Sequence, residues 1–351
     1  MDTGNKQSDY LWDGSGEPDP EIQRLETLLE RFHHDRPTPV FPAMARQKRL
    51  RLMPARVPIF VVSAALAVAA MVTAFLIPRH PAPGWDVTRL AGTPRIGLSP
   101  IGEKEMGRLG VGQALETDGQ SRAALLAVDT GTIEMEPGSR LRLVSMGAGL
   151  RRIALDRGTI HALIWARPGH FVVDTPSAVT VDLGCAYTLQ VDGSGAGLVR
   201  TSRGWVGFKR NGRESFIPAG AACATRPKTG PGIPYFEDAS PEFRSALARF
   251  DFADTPQQRA ADLAVLLGIS RKRDVLTLWH LLTRVEEDQR PLVYDRLQEF
   301  VSPPPDVTRE GILRLDQPML DSWWNQLGYD DISVWRHWER SWSGDAPVPE
   351  K

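Results

Sequence analysis

The run of uncharged residues from Val57 to Ile77 constrains this chain more than any other feature. It reads VPIFVVSAALAVAAMVTAFLI. At about 1.5 Å per residue, a helix of this length is about 31 Å long, which matches the hydrocarbon thickness of a bilayer. Pro58 falls in the first turn of such a helix and Pro78 follows its end, the two places where proline is tolerated. The sequence therefore predicts a transmembrane helix over residues 57–77, in preference to a buried core helix or a cleaved signal peptide.

Basic residues are distributed unevenly around this segment, and their distribution predicts the orientation of the chain. Several lie shortly before the span and few follow it. Those before it are Arg46, Lys48, Arg49, Arg51 and Arg56. The positive-inside rule then places the N-terminus in the cytoplasm and the C-terminus in the periplasm of a bacterial inner membrane. The formal net charge of −1 provides no overall field that would attract nucleic acid, so we expect no direct nucleic-acid binding.

Residues 1–45 are predicted to be a cytoplasmic interaction segment with one short amphipathic helix. Asp19 is a suitable N-cap and Pro20 suits the first helical position. Apolar residues at helical spacing follow Pro20, and two aromatic residues precede the helix. The predicted partner-binding residues are Tyr10, Trp12, Ile22, Leu25, Leu28, Leu29 and Phe32. Because so short a helix is marginal alone in water, we expect its apolar stripe to be covered by a partner.

Beyond the span, the hydrophobic period changes twice, which predicts three further segments. Residues 78–108 are predicted to be an extended linker. Residues 109–235 alternate with a period of two between turn signals such as EPGS and RNG, which predicts an all-β domain of short wound strands. Residues 238–345 carry helical stripes and are predicted to form an α-helical C-terminal domain. The fold class is thus a multidomain, single-pass membrane protein with an all-β extracytoplasmic domain followed by helices.

Three tryptophans near the C-terminus share one helical face: Trp335, Trp338 and Trp342. The simplest interpretation is a face that packs into a core. The alternative is a face that lies on a membrane or a partner protein.

The stretch HFVVDTPSAVTVDLGCAY brings together residue types that could perform acyl transfer, namely His170, Asp174, Ser177 and Cys185. Such chemistry needs these groups to converge in space, which proximity in sequence does not provide. Pro176 instead predicts a strand corner at DTPS. We expect no catalytic residues and no enzymatic activity.

The chain has two cysteines, Cys185 and Cys223, with neither a CxxC nor an HExxH motif. This spacing predicts no metal site, and no cofactor is expected. Both cysteines lie on the predicted oxidising side of the membrane. The sequence leaves open whether they form a disulfide or are two buried thiols.

Three quoted segments resemble the FecR-like extracytoplasmic domain: AVDTGTIEMEPGSRLRL, RRIALDRGTIHALI and HFVVDTPSAVTVDLGCAYTLQV. The resemblance covers about residues 109–224. The residues that carry it are Pro137, Gly138, Ser139, Gly158, Thr175, Pro176 and Gly184. The chain departs from the family pattern at Cys185, where a threonine is usual. It also departs in its helical C-terminal region, where well-studied members carry a small module that contacts an outer-membrane transporter.

The resemblance implies a membrane-anchored anti-sigma-type regulator. A cytoplasmic sigma factor is then the expected partner of the N-terminal segment, while the extracytoplasmic protein or ligand stays unidentified. We also expect the predicted transmembrane helix to contact membrane lipid. The alternative is a membrane-tethered scaffold or ligand-binding protein without sigma-factor control. A regulator needs an apolar recognition stripe in the cytoplasm, and this chain has one.

Overall fold

The computed structural model describes residues 20–30, 84–147, 149–252, 255–329 and 331–342. The chain divides into two units, Met1–Pro78 and Arg79–Lys351. The described part of the first unit is a single helix, α1, from Pro20 to Glu30. No helix within the described ranges is long and apolar enough to span a bilayer. The span predicted over residues 57–77 lies outside these ranges and stays a prediction.

The second unit is a β region followed by helices, and this order confirms the predicted succession of the two kinds of structure. The strands are β1 Gly84–Ala91, β2 Arg95–Ile96, β3 Ser99–Pro100, β4 Met106–Gly110, β5 Ala114–Glu116, β6 Arg122–Ala127, β7 Gly131–Met135, β8 Arg140–Met146, β9 Arg151–Ile164, β10 Phe171–Asp174, β11 Val179–Asp182, β12 Ala186–Val191, β13 Gly197–Arg203, β14 Trp205–Arg210, β15 Arg213–Pro218, β16 Ala221–Arg226, β17 Gly230–Pro231 and β18 Tyr235–Phe236. The helices are α2 Pro241–Phe252, α3 Pro256–Ile269, α4 Val275–Leu282, α5 Arg290–Phe300, α6 Arg309–Leu313, α7 Gln317–Gln326 and α8 Ser333–Trp342, with a 3₁₀ turn at Lys272–Asp274.

Strand β9 joins two antiparallel groups of strands. The first part of β9 pairs with β8, and the part that follows Gly158 pairs with β7 and β12. Its pairing with β10 is parallel, whereas its other pairings are antiparallel. Ile153 and Ile160, one from each part of β9, are both fully buried in the same hydrophobic core. The β region is therefore a single wound sheet around a shared core.

The predicted extended linker, residues 78–108, is wrong over most of its length. Strands β1, β2, β3 and most of β4 lie within this range. β1 pairs with both β4 and β6, and its residues Trp85 and Val87 are buried in the core. The alternation of GWDVTRLA buries every second residue of its first half, which gives an internal strand rather than a spacer. The β region thus begins at Gly84 instead of residue 109.

The C-terminal helices pack on the β region and do not form a core of their own. Phe216 on β15 contacts Trp279 of α4, Trp324 of α7 and Trp335 of α8, with ring centroids 6.0, 5.2 and 5.3 Å apart. Trp335 also lies so close to Gly207 on β14 that any side chain at position 207 would overlap it. The predicted separate domain over residues 238–345 is therefore part of the same compact unit as the strands.

Helix α8 confirms the core interpretation of two of the three C-terminal tryptophans. Trp335 and Trp338 are buried and stack against each other with ring centroids 4.9 Å apart. The side chain of Trp342 lies outside the described part of the chain. This face of α8 is accordingly used for packing against the strands.

Candidate functional site

The helix α1 carries the first candidate surface, an apolar stripe of leucines. Leu25, Leu28 and Leu29 are spaced three and four residues apart, and each is more than half exposed. Residues at this spacing lie on one face of a helix. Of the other predicted binding residues, the side chain of Ile22 and all of Tyr10, Trp12 and Phe32 fall outside the described residues. The structure thus presents three of the seven predicted residues together on one exposed face.

The first group of motif residues builds a corner where the turn between β7 and β8 packs against the middle of β9. The N–H of Ser139 donates to Thr117 Oγ1 at 2.9 Å, and the N–H of Thr159 donates to Ser139 Oγ at 2.9 Å. Ser139 Oγ in turn donates to the carbonyl of Thr159 at 3.2 Å. Gly158 has a φ of 95°, and a Cβ there would collide with Ser139. The PGS turn and Gly158 therefore form a structural corner rather than a binding cleft.

The second group of motif residues builds another corner, between β10 and β11. Thr175 Oγ1 accepts the N–H of Ala178 and donates to its carbonyl, both at 2.9 Å. The hydroxyl oxygens of Ser177 and Thr225 are 2.5 Å apart, which ties this corner to β16. These local side-chain hydrogen bonds satisfy backbone groups where the chain reverses direction. The Thr-Pro step is thus explained by local structure.

Of the four residues considered for acyl transfer, Asp174, Ser177 and Cys185 bond to three different partners. Asp174 forms a bidentate pair with Arg152 at 2.6 and 2.8 Å, and Ser177 bonds to Thr225. Cys185 Sγ donates to Asp182 Oδ2 at 2.7 Å. A nucleophile and its base need to be within hydrogen-bond reach of each other, and none of these bonds joins Ser177 or Cys185 to His170 or Asp174.

Asp182 and Cys185 form a buried pair whose chemistry opposes nucleophilic activity. Asp182 Oδ1 accepts the N–H of Gly184 at 2.7 Å, and both side chains of the pair are almost fully buried. Burial raises the pKa of Asp182 to about 7 and holds the pKa of the Cys185 thiol well above its usual value. Because the thiolate is the reactive form of cysteine, this raised pKa and the burial both disfavour nucleophilic attack by Cys185.

Cys185 and Cys223 are both buried free thiols in the structure. Leu189 pairs with Val199, and Val199 pairs with Cys223, so Cys223 lies two strands away from Leu189. Cys185 precedes Leu189 by four residues along the chain. These offsets separate the two cysteines by about 10 Å across the strands and about 13 Å along them. A disulfide requires Cα atoms within about 7 Å, so the register of the strands rules against the bond that the sequence left open.

A cleft of about 540 Å³ lies between the loop before β10 and helix α8. It is lined by Arg167, Pro168, His170, Ser333, Val334, His337 and Trp338. Sequence reasoning singled out His170 but missed His337, which the packing of α8 brings to the same cleft. Within the described residues, no group of three or more His, Cys, Asp or Glu side chains could hold a metal ion. With a guanidinium and two imidazoles, the cleft is chemically suited to an anionic group.

Comparisons with known proteins found no matching family model and no matching curated protein. Two crystal structures of a candidate anti-sigma factor from Parabacteroides distasonis ATCC 8503, at 1.65 and 2.50 Å resolution, are similar to this chain. Each shares 14% sequence identity with it at a TM-score of 0.32. Each match covers 39% of this chain and 64% of the other, so the chain spans less than two thirds of the structures it matches. A likeness at this level assigns neither a family nor a partner.

Proposed function

We propose that this protein is a single-pass regulator of the bacterial inner membrane that binds a sigma factor through its N-terminal helix and has no enzymatic activity. In this proposal the N-terminus lies in the cytoplasm and the β region with its helices lies in the periplasm. The periplasmic part receives a signal and controls the binding of the sigma factor. The observation that supports the proposal best is the exposed leucine stripe of α1.

The size of this stripe is suited to binding a protein. A helix of 11 residues gains little stability from its own hydrogen bonds in water. Complete burial of a leucine contributes about 1.5–3 kcal/mol, and Leu25, Leu28 and Leu29 are each more than half exposed, so together they offer about 3–5 kcal/mol before ordering costs. The sequence adds Glu21, Glu26 and Glu30 to the same helix. Anionic lipid would repel these carboxylates, which favours a protein partner over the inner leaflet.

The experiment compares two double substitutions in the full-length protein that add the same charge to opposite faces of α1. Leu25→Glu with Leu29→Glu alters the stripe. Gln23→Glu with Thr27→Glu has the same four-residue spacing but falls on the opposite, exposed face. We expect the leucine variant to lose co-purification with the sigma factor and to raise transcription from that factor's promoters. The control variant should retain both capture and repression.

The opposite outcome is a leucine variant that captures the sigma factor with unchanged affinity and represses normally. The stripe would then not be the recognition surface, and the proposal would fail in this form. The alternative, a membrane-tethered scaffold or ligand-binding protein, would then take its place. The cleft beside α8 favours this second function, because His170 and His337 converge there on a space large enough for a small molecule.

A further inference from the structure

An apolar patch lies on the outer face of the sheet, at one end of strands β6 and β9. It consists of Leu126, Val128, Leu163 and Trp165, whose exposed fractions are 45%, 77%, 48% and 52%. Leu126 pairs with Thr132 on β7, and Thr132 pairs with Leu163 on β9, so the two leucines flank one threonine in a single row. We call these four residues the outer patch. Contiguous exposed apolar surface of this kind marks a contact with another protein or with lipid.

Trp165 is held rigidly within the outer patch. Its Nε1 donates to the carbonyl of Val128 at 3.0 Å, and its backbone N–H donates to the carbonyl of Thr130 at 3.0 Å. The polar atom of the indole ring is therefore already satisfied within the protein. The exposed part of the ring can leave water without the cost of an unpaired N–H group.

The polarity of the outer face changes abruptly along the strands. Two residues away from the row of leucines, Glu134 on β7 pairs with His161 on β9. His161 Nε2 lies 3.2 Å from Glu136 Oε1, and Glu136 accepts from Arg122 at 2.7 Å. The apolar surface is thus confined to one end of the strands. Two carboxylates border it there, each in an ion pair: Asp86, beside Leu126, pairs with Arg108, and Asp129, after Val128, pairs with Arg151.

The apolar end of the sheet is also the end at which the chain enters the β region. Asp86 pairs with Leu126 in an antiparallel register, so Gly84, two residues earlier, lies at the level of Val128. Gly84 follows Ile77, the last residue of the predicted span, by seven residues. Seven extended residues reach at most about 25 Å. If residues 57–77 cross the membrane, Gly84 lies within that distance of the bilayer, and the outer patch lies at the same end of the sheet.

Two basic residues lie beside the outer patch at this end of the sheet. Arg203 pairs in register with Ala186, which in turn pairs with Leu163, and Arg167 follows Trp165 by two residues. Both are exposed, and within the described part of the chain neither forms an ion pair with a carboxylate. An apolar surface containing a tryptophan, bordered by two exposed guanidinium groups, matches the boundary between acyl chains and phosphate headgroups.

We propose that the outer patch inserts into the periplasmic leaflet of the same membrane and holds the β region against the bilayer. This inference rests on the proposed single-pass topology. The occupant is a phospholipid surface, with the acyl chains taking the apolar side chains and the phosphates meeting Arg167 and Arg203. Docking on the bilayer fixes the orientation of the cleft and of every other periplasmic surface relative to the membrane.

The test measures the depth of a fluorescent label in the full-length protein, reconstituted into phosphatidylethanolamine and phosphatidylglycerol vesicles. The label is attached through Val128→Cys, and Glu134→Cys on the same face provides the matched control. The native Cys185 and Cys223 are buried and do not compete for the label. Lipids carrying a nitroxide near the headgroup quench a label that reaches the leaflet. We expect several-fold stronger quenching at Val128→Cys than at Glu134→Cys.

A second arm shows whether the patch or the dye causes the contact. Leu163→Ser with Trp165→Ser should abolish most of the quenching at Val128→Cys. Retention of the quenching in this variant would overturn the inference, because the dye alone would then reach the lipid. A label that is blue-shifted but unquenched would also overturn it, since that result means burial against protein.

Flotation of the same vesicles after alkaline extraction separates the failure of this inference from failure of the topology. If the protein floats and the label at Val128→Cys is unquenched, the outer patch does not contact lipid and the single-pass proposal stands. If the protein does not float, both proposals fall.

Discussion

Substitution of Gly158 by alanine tests whether the corner between the β7–β8 turn and β9 requires glycine for two separate reasons. Gly158 has a φ of 95°, a left-handed conformation that costs other residues about 1–2 kcal/mol. A Cβ at this position would also lie within 3.0 Å of the Oγ, Cβ and Cα atoms of Ser139. Relief of such overlap typically costs about 1–3 kcal/mol. We therefore expect Gly158→Ala to lower the free energy of unfolding by about 2–5 kcal/mol.

The assay is thermal and urea unfolding of the wild-type and variant proteins under identical conditions. For a unit of this size, about 2–4 °C of Tm corresponds to 1 kcal/mol, so the expected loss is about 4–20 °C. Gly138→Ala is the matched control. Gly138 also has a left-handed φ, of 74°, but no atom lies within 4 Å of the position its Cβ would take. Only the backbone cost applies there, which predicts a loss of about 1–2 kcal/mol.

The stabilities of Gly158→Ala and Gly138→Ala decide whether the contact with Ser139 matters. If Gly158→Ala is no less stable than Gly138→Ala, the close approach of Ser139 does not explain the glycine. The hydrogen bonds that join Ser139 to Thr117 and Thr159 would then not hold Ser139 against Gly158.

Three further results are expected. Cys185 and Cys223 should resist alkylation in the native protein and should both react in denaturant without reductant; reaction only after reduction would reveal a disulfide and contradict the register argument. Burial raises the pKa of Asp182 from 3.8 to about 7. Protonated Asp182 therefore makes its full contribution to the free energy of unfolding below about pH 4, and this contribution is lost as the pH rises through 7. Asp182→Asn should therefore remove on the order of 4 kcal/mol of pH dependence from the free energy of unfolding, and an unchanged pH profile would disprove the buried protonated carboxyl. Trp335→Ala should lower the free energy of unfolding by about 3–5 kcal/mol and the half-exposed Trp165→Ala by much less, in parallel denaturant titrations; equal losses would mean that α8 does not stabilise the strands.

The prediction of strands followed by helices succeeded because local periodicity carries that information. In β6 and in the last residues of β9 the buried residues alternate with more exposed ones, and in α2 they recur at helical spacing. The motif corners were also visible locally, since Pro137, Gly138 and Pro176 have strong turn preferences. What these residues contact was not visible, because Ser139 meets Gly158 and Ser177 meets Thr225 only through strand pairing between distant segments.

The linker prediction failed for the same physical reason. β1 lies between stretches rich in proline and glycine, and its strand partners β4 and β6 begin more than 20 residues later in the chain. A strand with distant partners is stabilised by tertiary contacts that its own sequence does not reveal. The sequence likewise did not reveal the outer patch, since Leu126 and Leu163 come to lie on either side of Thr132 only when β6, β7 and β9 pair.

The sequence by itself determined the apolar segment over residues 57–77, the charge asymmetry around it, the leucine stripe of α1 and the change from β to helical periodicity. These are properties of short windows, in which neighbours along the chain are also neighbours in space. Only the tertiary structure decided that Cys185 and Cys223 lie too far apart to bond, that Trp335 packs against Gly207, and that His170 and His337 share a cleft. Each of these outcomes depends on strand register or helix docking, where residues far apart in sequence meet, and a one-residue change of register would alter all of them.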